Sequence, residues 1–493
     1  MDYEVLVVGG GIGGLTAAAL LAARGVSVCL FERANTAGGC AANVAAGGYE
    51  FEGGAGLYSS WGKDELHQRI FAELGITPPE TRLCTPAYVV RLPDGTDISL
   101  SPDPVEFESN VAKAFPECTA EALAFYRLLG STDAGVRNAA ERWPDLRSIA
   151  TTRNLLTFRT SQVRNLRRLN SEVVSQHLGT TSPRFRQFID SQLQMLAQSS
   201  SDECPFPYAA VALTLPRYGM YAIKGGGDSL VQSLTNYIRQ AGGTVRLNAP
   251  VLRLAYAADG SAAGVDLLNG ETVFARRAII SNLTAWDTYG KLVGQARMPP
   301  EIRAALKSLR SHGAYMLYLG MDEAAAVRLP ADHVLALTAS ADQLSPPSPF
   351  MFSATPEWDA RGPAGKRAVT VWTQIDAEAW FTFHNDAEEL ETQDQETLAR
   401  WWNIIHRCLP ELGSGVEVIE TETPQGHYER TRRRLGMVGG FAQSVSDAGA
   451  NPFSHKPPLP GLYMVGDTLF PGPGLASVSY SALLVANDLA PTR

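Results

Sequence analysis

The residues best placed to do chemistry lie in the first forty. After a short apolar strand (Val5 to Val8) comes Gly9-x-Gly11-Ile12-Gly13-Gly14, then an Ala/Leu-rich stretch and a second apolar strand ending in Glu32. Each glycine has a mechanical reason. Gly9 permits a tight strand-to-helix turn, Gly11 lets the backbone approach a pyrophosphate, and Gly14 lets the helix press on the sheet. Free N–H groups and the positive end of the helix dipole then face the phosphates. Glu32, at the end of the second strand, is placed to accept hydrogen bonds from ribose hydroxyls. Strand, glycines, helix, strand and acid in this order predict a bound adenine dinucleotide.

Just beyond Glu32 stand Arg33 and Ala37-Gly38-Gly39-Cys40. A second glycine pair so near the acidic strand end suits a chain that passes the pyrophosphate twice, which points to FAD rather than NAD. No second dinucleotide fingerprint follows. Gly225-Gly226-Gly227-Asp228-Ser229-Leu230 lacks the third glycine where it is needed, and Asp228 or Ser229 reads as a helix cap.

These residues need elements to hold them. Pro93-Asp94-Gly95 predicts a hairpin between apolar stretches over 89–100, and residues 104–200 read mostly as helix. A helix is expected over about 228–241. Strands are expected at Val251 to Tyr256, Gly264 to Leu268, Thr272 to Ala275 and Ala278 to Asn282, with tight turns at Asp259-Gly260 and Asn269-Gly270. Further strands at Ala314 to Leu319 and Val369 to Thr373 and a helix over 386–408 follow. Near the end, a strand leads into Gly466-Asp467. The loop Pro471-Gly472-Pro473-Gly474 then opens an Ala/Ser-rich helix running to about 490. This repeats the physics of the N-terminus: backbone amides at a helix start, with close approach permitted.

The rest of the composition narrows the classes. The chain has 493 residues, enough for two domains, and a net charge of −9 that argues against broad nucleic-acid binding. Six scattered cysteines form no CxxC and suggest a reducing compartment without disulfides. The eight histidines form no HxH or HxxxH pair, so no metal is expected. Residues 5–23 are uncharged, but the glycine fingerprint accounts for them better than a membrane span does. Met1-Asp2-Tyr3-Glu4 is the wrong flank for a signal peptide.

These pieces resemble the flavoprotein family of phytoene desaturases and carotenoid isomerases over nearly the whole chain. The further signposts are Tyr49-Glu50-Phe51-Glu52-Gly53-Gly54, Lys224-Gly225-Gly226, Val251, Ile280-Ser281-Asn282, Val465-Gly466-Asp467 and Phe470-Pro471-Gly472-Pro473-Gly474. Within that family, Ser281 through Leu292 and Phe352 through Lys366 are most similar to the prolycopene-isomerase branch. Three positions depart from the family pattern. Glu52 replaces the usual Asp, Cys40 replaces Ser or Arg, and Ile223 precedes Lys224 in place of Pro.

The resemblance implies an α/β fold: a discontinuous, Rossmann-like FAD-binding domain (1–80, 225–285 and 425–493) with an inserted mixed α+β substrate domain (81–224 and 286–424). It implies that Gly9, Gly11, Ile12, Gly13, Gly14, Glu32, Arg33, Gly38, Gly39 and Cys40 hold pyrophosphate and ribose. Val251 would pair with adenine through its backbone, and Gly466 and Asp467 would hold the ribityl–phosphate arm. Gly474, Leu475, Ala476 and Ser477 would form a helix start under the flavin, with Gly53, Gly54 and Ala55 close to its ring. Ser281 belongs to the same cofactor set, and Gly53, Gly54 and Lys224 retained near the ring favour an enzyme over a carrier.

No Ser/His/Asp constellation stands out, so the chemistry belongs to the flavin and no catalytic side chain is named. The expected substrate is an apolar polyene. Reduced FAD would isomerise a poly-cis carotene; the alternatives are a desaturase passing hydride to quinone or oxygen, a polyene saturase, or a non-catalytic FAD protein holding an apolar ligand. Trp61, Trp286, Trp358 and Trp372 are candidates for a polyene tunnel, with core packing the default for each. Residues 147–169 hold six arginines, no acid and interleaved apolar residues. That pattern suits a basic amphipathic helix on anionic lipid, or equally a solvated helix packed on the core. A peripheral membrane location is expected, at the cytoplasmic face in a bacterium or in a plastid.

Overall fold

The computed structural model describes residues 3–142, 171–338, 348–382, 386–445 and 453–491. Two sheets organise them. In the first, strands Thr244–Arg246, Val28–Phe31, Tyr3–Val8, Thr272–Ser281 and Leu462–Met464 run parallel in that spatial order. The N-terminal strand, Val28–Phe31 and the last four residues of Thr272–Ser281 are almost wholly buried, as strands covered on both faces must be. On one face the helices Ile12–Ala23, Leu66–Leu74, Gly226–Gln240 and Leu475–Leu489 share a core with them. Small side chains over 16–19 let the first helix sit tightly against its neighbours, and Ile12 through Ala22 are all buried.

The strand Thr272–Ser281 is longer than its sequence suggests. Two expected strands, 272–275 and 278–282, are one ten-residue element. Arg276 and Arg277, both exposed, interrupt the apolar pattern without breaking the backbone ladder. Its first half pairs antiparallel with Ala262–Leu267, which pairs with Val251–Tyr256, and its second half joins the parallel sheet. The helix after Gly225 starts at Gly226, so neither Asp228 nor Ser229 caps it. Asp228 instead accepts from Asn43 N at 2.9 Å, and Ser229 Oγ donates to Lys224 O at 2.6 Å.

The second sheet runs Val416–Glu422, His312–Asp322, Lys366–Ile375, Pro349–Ala354, His333–Leu337, Tyr88–Arg91, Asp97–Leu100, with Met437–Val438 on the end of His312–Asp322. Helices Pro104–Ala114, Thr119–Arg142, Pro183–Ala197 and Phe206–Tyr218 share an aromatic-rich core with its Tyr88 edge, and Ala387–Cys408 packs with its central strands. The α/β fold class expected from the sequence holds. The basic segment 147–169 lies outside the described residues. No described helix is long and apolar enough to cross a membrane.

Two buried histidines give the fold an acid limit. His67 stacks on Trp61 with ring centroids 4.5 Å apart, and burial pushes its pKa down to about 4 against the opposing bond to Ser60 O. Burial holds His333 at about 4 as well. Both are neutral when folded, whereas the unfolded chain takes up these protons near pH 6.5. Their contribution is therefore complete above pH 6.5 and lost as pH falls toward 4, on the order of 3 kcal/mol each. Urea unfolding midpoints should drop through that window, and less so in His333→Leu. An equal drop in that variant would contradict the assignment.

Candidate cofactor and substrate cavity

The cavity is built where strand ends meet helix starts. Gly9 turns the chain at a positive φ of 100°, and its N–H donates to Phe31 O at 2.8 Å. The helix then begins at Ile12 with Gly11 as N-cap and no capping side chain or first-turn acid. The amides of Ile12 and Gly13 are thus left for an anion. The second glycine pair lies against the first: Gly38 N donates to Gly10 O at 2.8 Å, and a Cβ on Gly39 would stand 3.4 Å from Gly11 Cα. Glu32 is held by backbone, its Oε2 accepting from Gly10 N and its Oε1 from Ala34 N, each at 2.8 Å. The carboxylate faces the cavity with its remaining lone pairs.

A second helix start opens on the same space. Gly466 N donates to Ser481 Oγ at 3.1 Å, and Gly474 precedes the helix Leu475–Leu489, again with no acid in its first turn. Gly53 and Gly54 complete the lining. A Cβ on Gly53 would sit 2.3 Å from Ala42 O, whereas one on Gly54 would meet nothing within 4 Å. Glu52, just before them, belongs to a buried ionic cluster. Arg361 Nη2 lies 2.7 Å from Glu52 Oε1, Arg361 Nε lies 2.8 Å from Asp359 Oδ2, and Tyr58 donates to Glu52 Oε2 at 2.6 Å.

One cavity of about 1640 Å³ gathers these residues, beyond the roughly 300–1,000 Å³ of ordinary ligand pockets. Of the expected cofactor residues it is lined by Gly9, Gly11, Ile12, Gly13, Glu32, Arg33, Gly38, Gly39, Cys40, Gly53, Gly54, Ala55, Val251, Gly466, Asp467, Gly474, Leu475, Ala476 and Ser477. Gly14 and Ser281 do not line it. Gly14 is a packing glycine, whose Cβ would lie 2.2 Å from Gly9 O. Ser281 is fully buried at a strand end and bonded to Thr288 Oγ1 at 2.7 Å. Its neighbour Asn282 faces the fingerprint instead; with the amide oxygen turned to the helix it accepts from Gly11 N at 3.3 Å and Gly14 N at 3.2 Å.

Two other expectations change, at Lys224 and among the tryptophans. Lys224 is on the surface, paired with Glu80 at 3.2 Å, and is no part of the lining. The Asp467 carboxylate pairs with Arg433 at 2.8 Å. Of the four tryptophans only Trp372 lines this cavity. Trp61 stacks on His67, Trp286 donates to Leu306 O at 2.8 Å, and Trp358 lies under Arg82. His427 and Arg433, which line the cavity, and Arg361 and Asp359, which stand behind Glu52, were not legible in the sequence, since each comes from a distant stretch of chain.

The rest of the lining carries charge at Asp64, Glu65, Arg69, Arg137, Asp287 and Lys291, except for one stretch of wall. It is built by residues 195–220, 314–374 and 438–444 and includes Leu196, Tyr208, Val211, Leu215, Met316, Trp372 and Phe441. Among the described residues this wall carries no Asp, Glu, Lys, Arg or His. Its polar groups are amides and hydroxyls (Gln198, Gln374, Gln443, Ser444, Tyr208) and the buried Trp372 Nε1, which has no hydrogen-bond partner.

Two helix starts, an acid at the second strand end and a chain that passes the first turn twice define a dinucleotide-binding flavoprotein. The pattern described as "Flavin containing amine oxidoreductase" matches residues 12–489, and the chain belongs to that family. It is a FAD-dependent enzyme; the glycine cradle and first-turn amides fit that cofactor. The chain is 25% identical to the chloroplastic prolycopene isomerase of Daucus carota over 513 residues, covering 99% of this chain and 80% of that protein. It is 27% identical to a zeta-carotene-forming phytoene desaturase of Myxococcus xanthus over 512 residues, covering 99% and 93%. In fold it is similar to putrescine oxidase bound to putrescine, with TM-score 0.65 at 16% identity over 99% of this chain and 98% of that one.

Proposed function

We propose that the protein isomerises a poly-cis carotene from cis to trans, with FAD lying along the glycine-lined part of the cavity and the polyene against the uncharged wall. The observation that carries this reading is that wall. An amine substrate is a cation and would meet no carboxylate on this stretch to offset its desolvation, whereas a polyene needs only apolar surface. The prolycopene isomerases, similar over 99% of the chain, supply the direction of the reaction.

In this reading Ile12 and Gly13 present amides to the pyrophosphate, Gly11 lets it approach, Glu32 accepts from the ribose, and Val251 pairs with adenine. Leu475, Ala476 and Ser477 bring the second helix start to the flavin. Residues 1–80, 225–285 and 425–493 form the cofactor domain, and the rest forms the substrate domain. When bound, FAD supplies the redox chemistry, lending electron density to a conjugated system when reduced or taking up hydride when oxidised. The uncharged stretch of wall would exclude water and give the polyene apolar surface. No side chain needs to move a proton.

The test is anaerobic incubation of dithionite-reduced protein with a poly-cis carotene. All-trans product of unchanged mass is expected. Product two hydrogens lighter, formed only with oxygen or a quinone, would move the assignment to desaturation. Val211→Glu should lower turnover at least tenfold while the purified protein keeps its flavin, because it puts an unpaired carboxylate on the apolar wall. Loss of flavin with turnover per flavin unchanged would place the polyene elsewhere.

So apolar a substrate resides in a bilayer, and the acid-free sequence 147–169 supports contact with anionic lipid. Replacing Arg164, Arg167 and Arg168 with Glu should abolish flotation with anionic liposomes. Unchanged flotation would remove this contact.

A further inference from the structure

The cavity holds a second reactive group that the flavin chemistry does not use. Cys40 lines it, and its Sγ lies 3.6 Å from His427 Nε2. His427 Nδ1 faces Glu422 Oε2 at 3.4 Å and an Arg430 nitrogen at 3.1 Å. Glu422 is fixed by Arg430 at 2.6 and 2.9 Å and by the Tyr318 hydroxyl at 3.0 Å. In the tautomer whose Nδ1–H donates to Glu422, Arg430 bonds the carboxylate and not the ring, and Nε2 is left to accept from the thiol, the arrangement that activates a cysteine nucleophile. The three come from the 3-10 turn Gly39–Ala41, a strand end and the helix Pro424–Thr431, brought together by the fold.

We propose that Cys40, His427 and Glu422 form a nucleophilic thiol site in the dinucleotide-binding part of the cavity, which a peroxide oxidises when FAD is absent and which bound FAD shields. This rests on the placement of FAD given above. In the step, His427 Nε2 takes the Cys40 proton and the thiolate attacks one peroxide oxygen. The S–O bond forms, the O–O bond breaks, and the leaving hydroxide takes the proton from His427 to become water. Sulfur is oxidised to sulfenic acid and the peroxide is reduced.

Electrostatics agree with the geometry. Burial opposes ionisation of Cys40, but Arg433, the His427 hydrogen bond and Arg430 outweigh it and bring the thiol down to about 7. Burial opposes protonation of His427, and Cys40 and Glu422 together raise it. By contrast, burial pushes Cys29, Cys84 and Cys204 up to about 12, so they stay protonated and inert.

The experiment treats the full chain with limiting hydrogen peroxide, with and without saturating FAD, and traps sulfenic acid with dimedone for peptide mass spectrometry. The expected result is labelling at Cys40 at least tenfold above each other cysteine, suppressed at least tenfold by FAD. His427→Gln should slow Cys40 labelling at least tenfold, and Glu422→Gln should slow it to a smaller extent. Equal labelling of all six cysteines, or a wild-type rate in both variants, would overturn the thiol site while leaving the FAD placement intact. Selective labelling that FAD does not suppress would overturn the shielding and count against the FAD placement.

Discussion

Gly14→Ala should yield protein that purifies without flavin. The added Cβ would stand 2.2 Å from Gly9 O and 3.1 Å from Asn282 Cβ. The first of these is backbone at the turn into the first helix, so no side-chain rotation relieves it. The first helix has to lift from the strand end, taking the amides of Ile12 and Gly13 with it. Overpacking of this kind costs about 1–3 kcal/mol, and each 1.4 kcal/mol taken from binding is about tenfold in affinity. FAD affinity should therefore fall about tenfold to a hundredfold, read by titrating flavin fluorescence. Gly54→Ala is the contrast. Its Cβ meets no protein atom within 4 Å, so the unfolding midpoint without cofactor should be unchanged while the affinity for FAD falls. Wild-type flavin affinity in Gly14→Ala would show that the helix start does not hold the pyrophosphate.

The larger loss of stability is expected at Arg361. Its side chain is 4% exposed and lies between Glu52 and Asp359, themselves 8% and 5% exposed. Asp359 also accepts from Gly225 N at 3.0 and 3.1 Å, and Thr370 donates to Glu52 O at 3.1 Å. One guanidinium thus ties together the strand before Gly53-Gly54, the turn at Gly225 and the loop at 359–361. Arg361→Met leaves two buried carboxylates without their cation, and breaking such a pair costs about 3–5 kcal/mol. Urea unfolding should register a loss of that size. Adding Glu52→Gln and Asp359→Asn should return part of it, because the charges that demanded a partner are then gone. A loss below about 1 kcal/mol would mean that the cluster is open to solvent.

These two sites divide what the sequence made legible from what it did not. The fingerprint reads directly because every one of its requirements is local: Gly9 for a positive φ, Gly14 for a helix pressed on a turn, Glu32 at a strand end. The helix at 475–489 reads for the same reason. Arg361 does not. It meets Glu52 across 309 positions of sequence, and no spacing rule connects an arginine after Ala360 with a glutamate before Gly53. His427 reaches Cys40 across 387 positions and is equally silent. Lys224 shows the opposite error, since its position beside a glycine run suggested the flavin while its own strand end turns it to Glu80 and solvent. Ser281 and Asn282 were separated only by the pleat. Both stand at the same strand end, and adjacent side chains there face opposite sides, one into the core and one under the helix start.

On the proposed reading, an uncharged stretch of the cavity wall selects a polyene over an amine. Anaerobic titration of the oxidised protein with putrescine, in parallel with titration of the dithionite-reduced protein with a poly-cis carotene, tests it most directly. The amine is expected to leave the flavin's visible absorbance unchanged, and the carotene to be converted to its all-trans isomer in many turnovers per flavin. Bleaching of the flavin by the amine, with the carotene recovered unaltered, would contradict it.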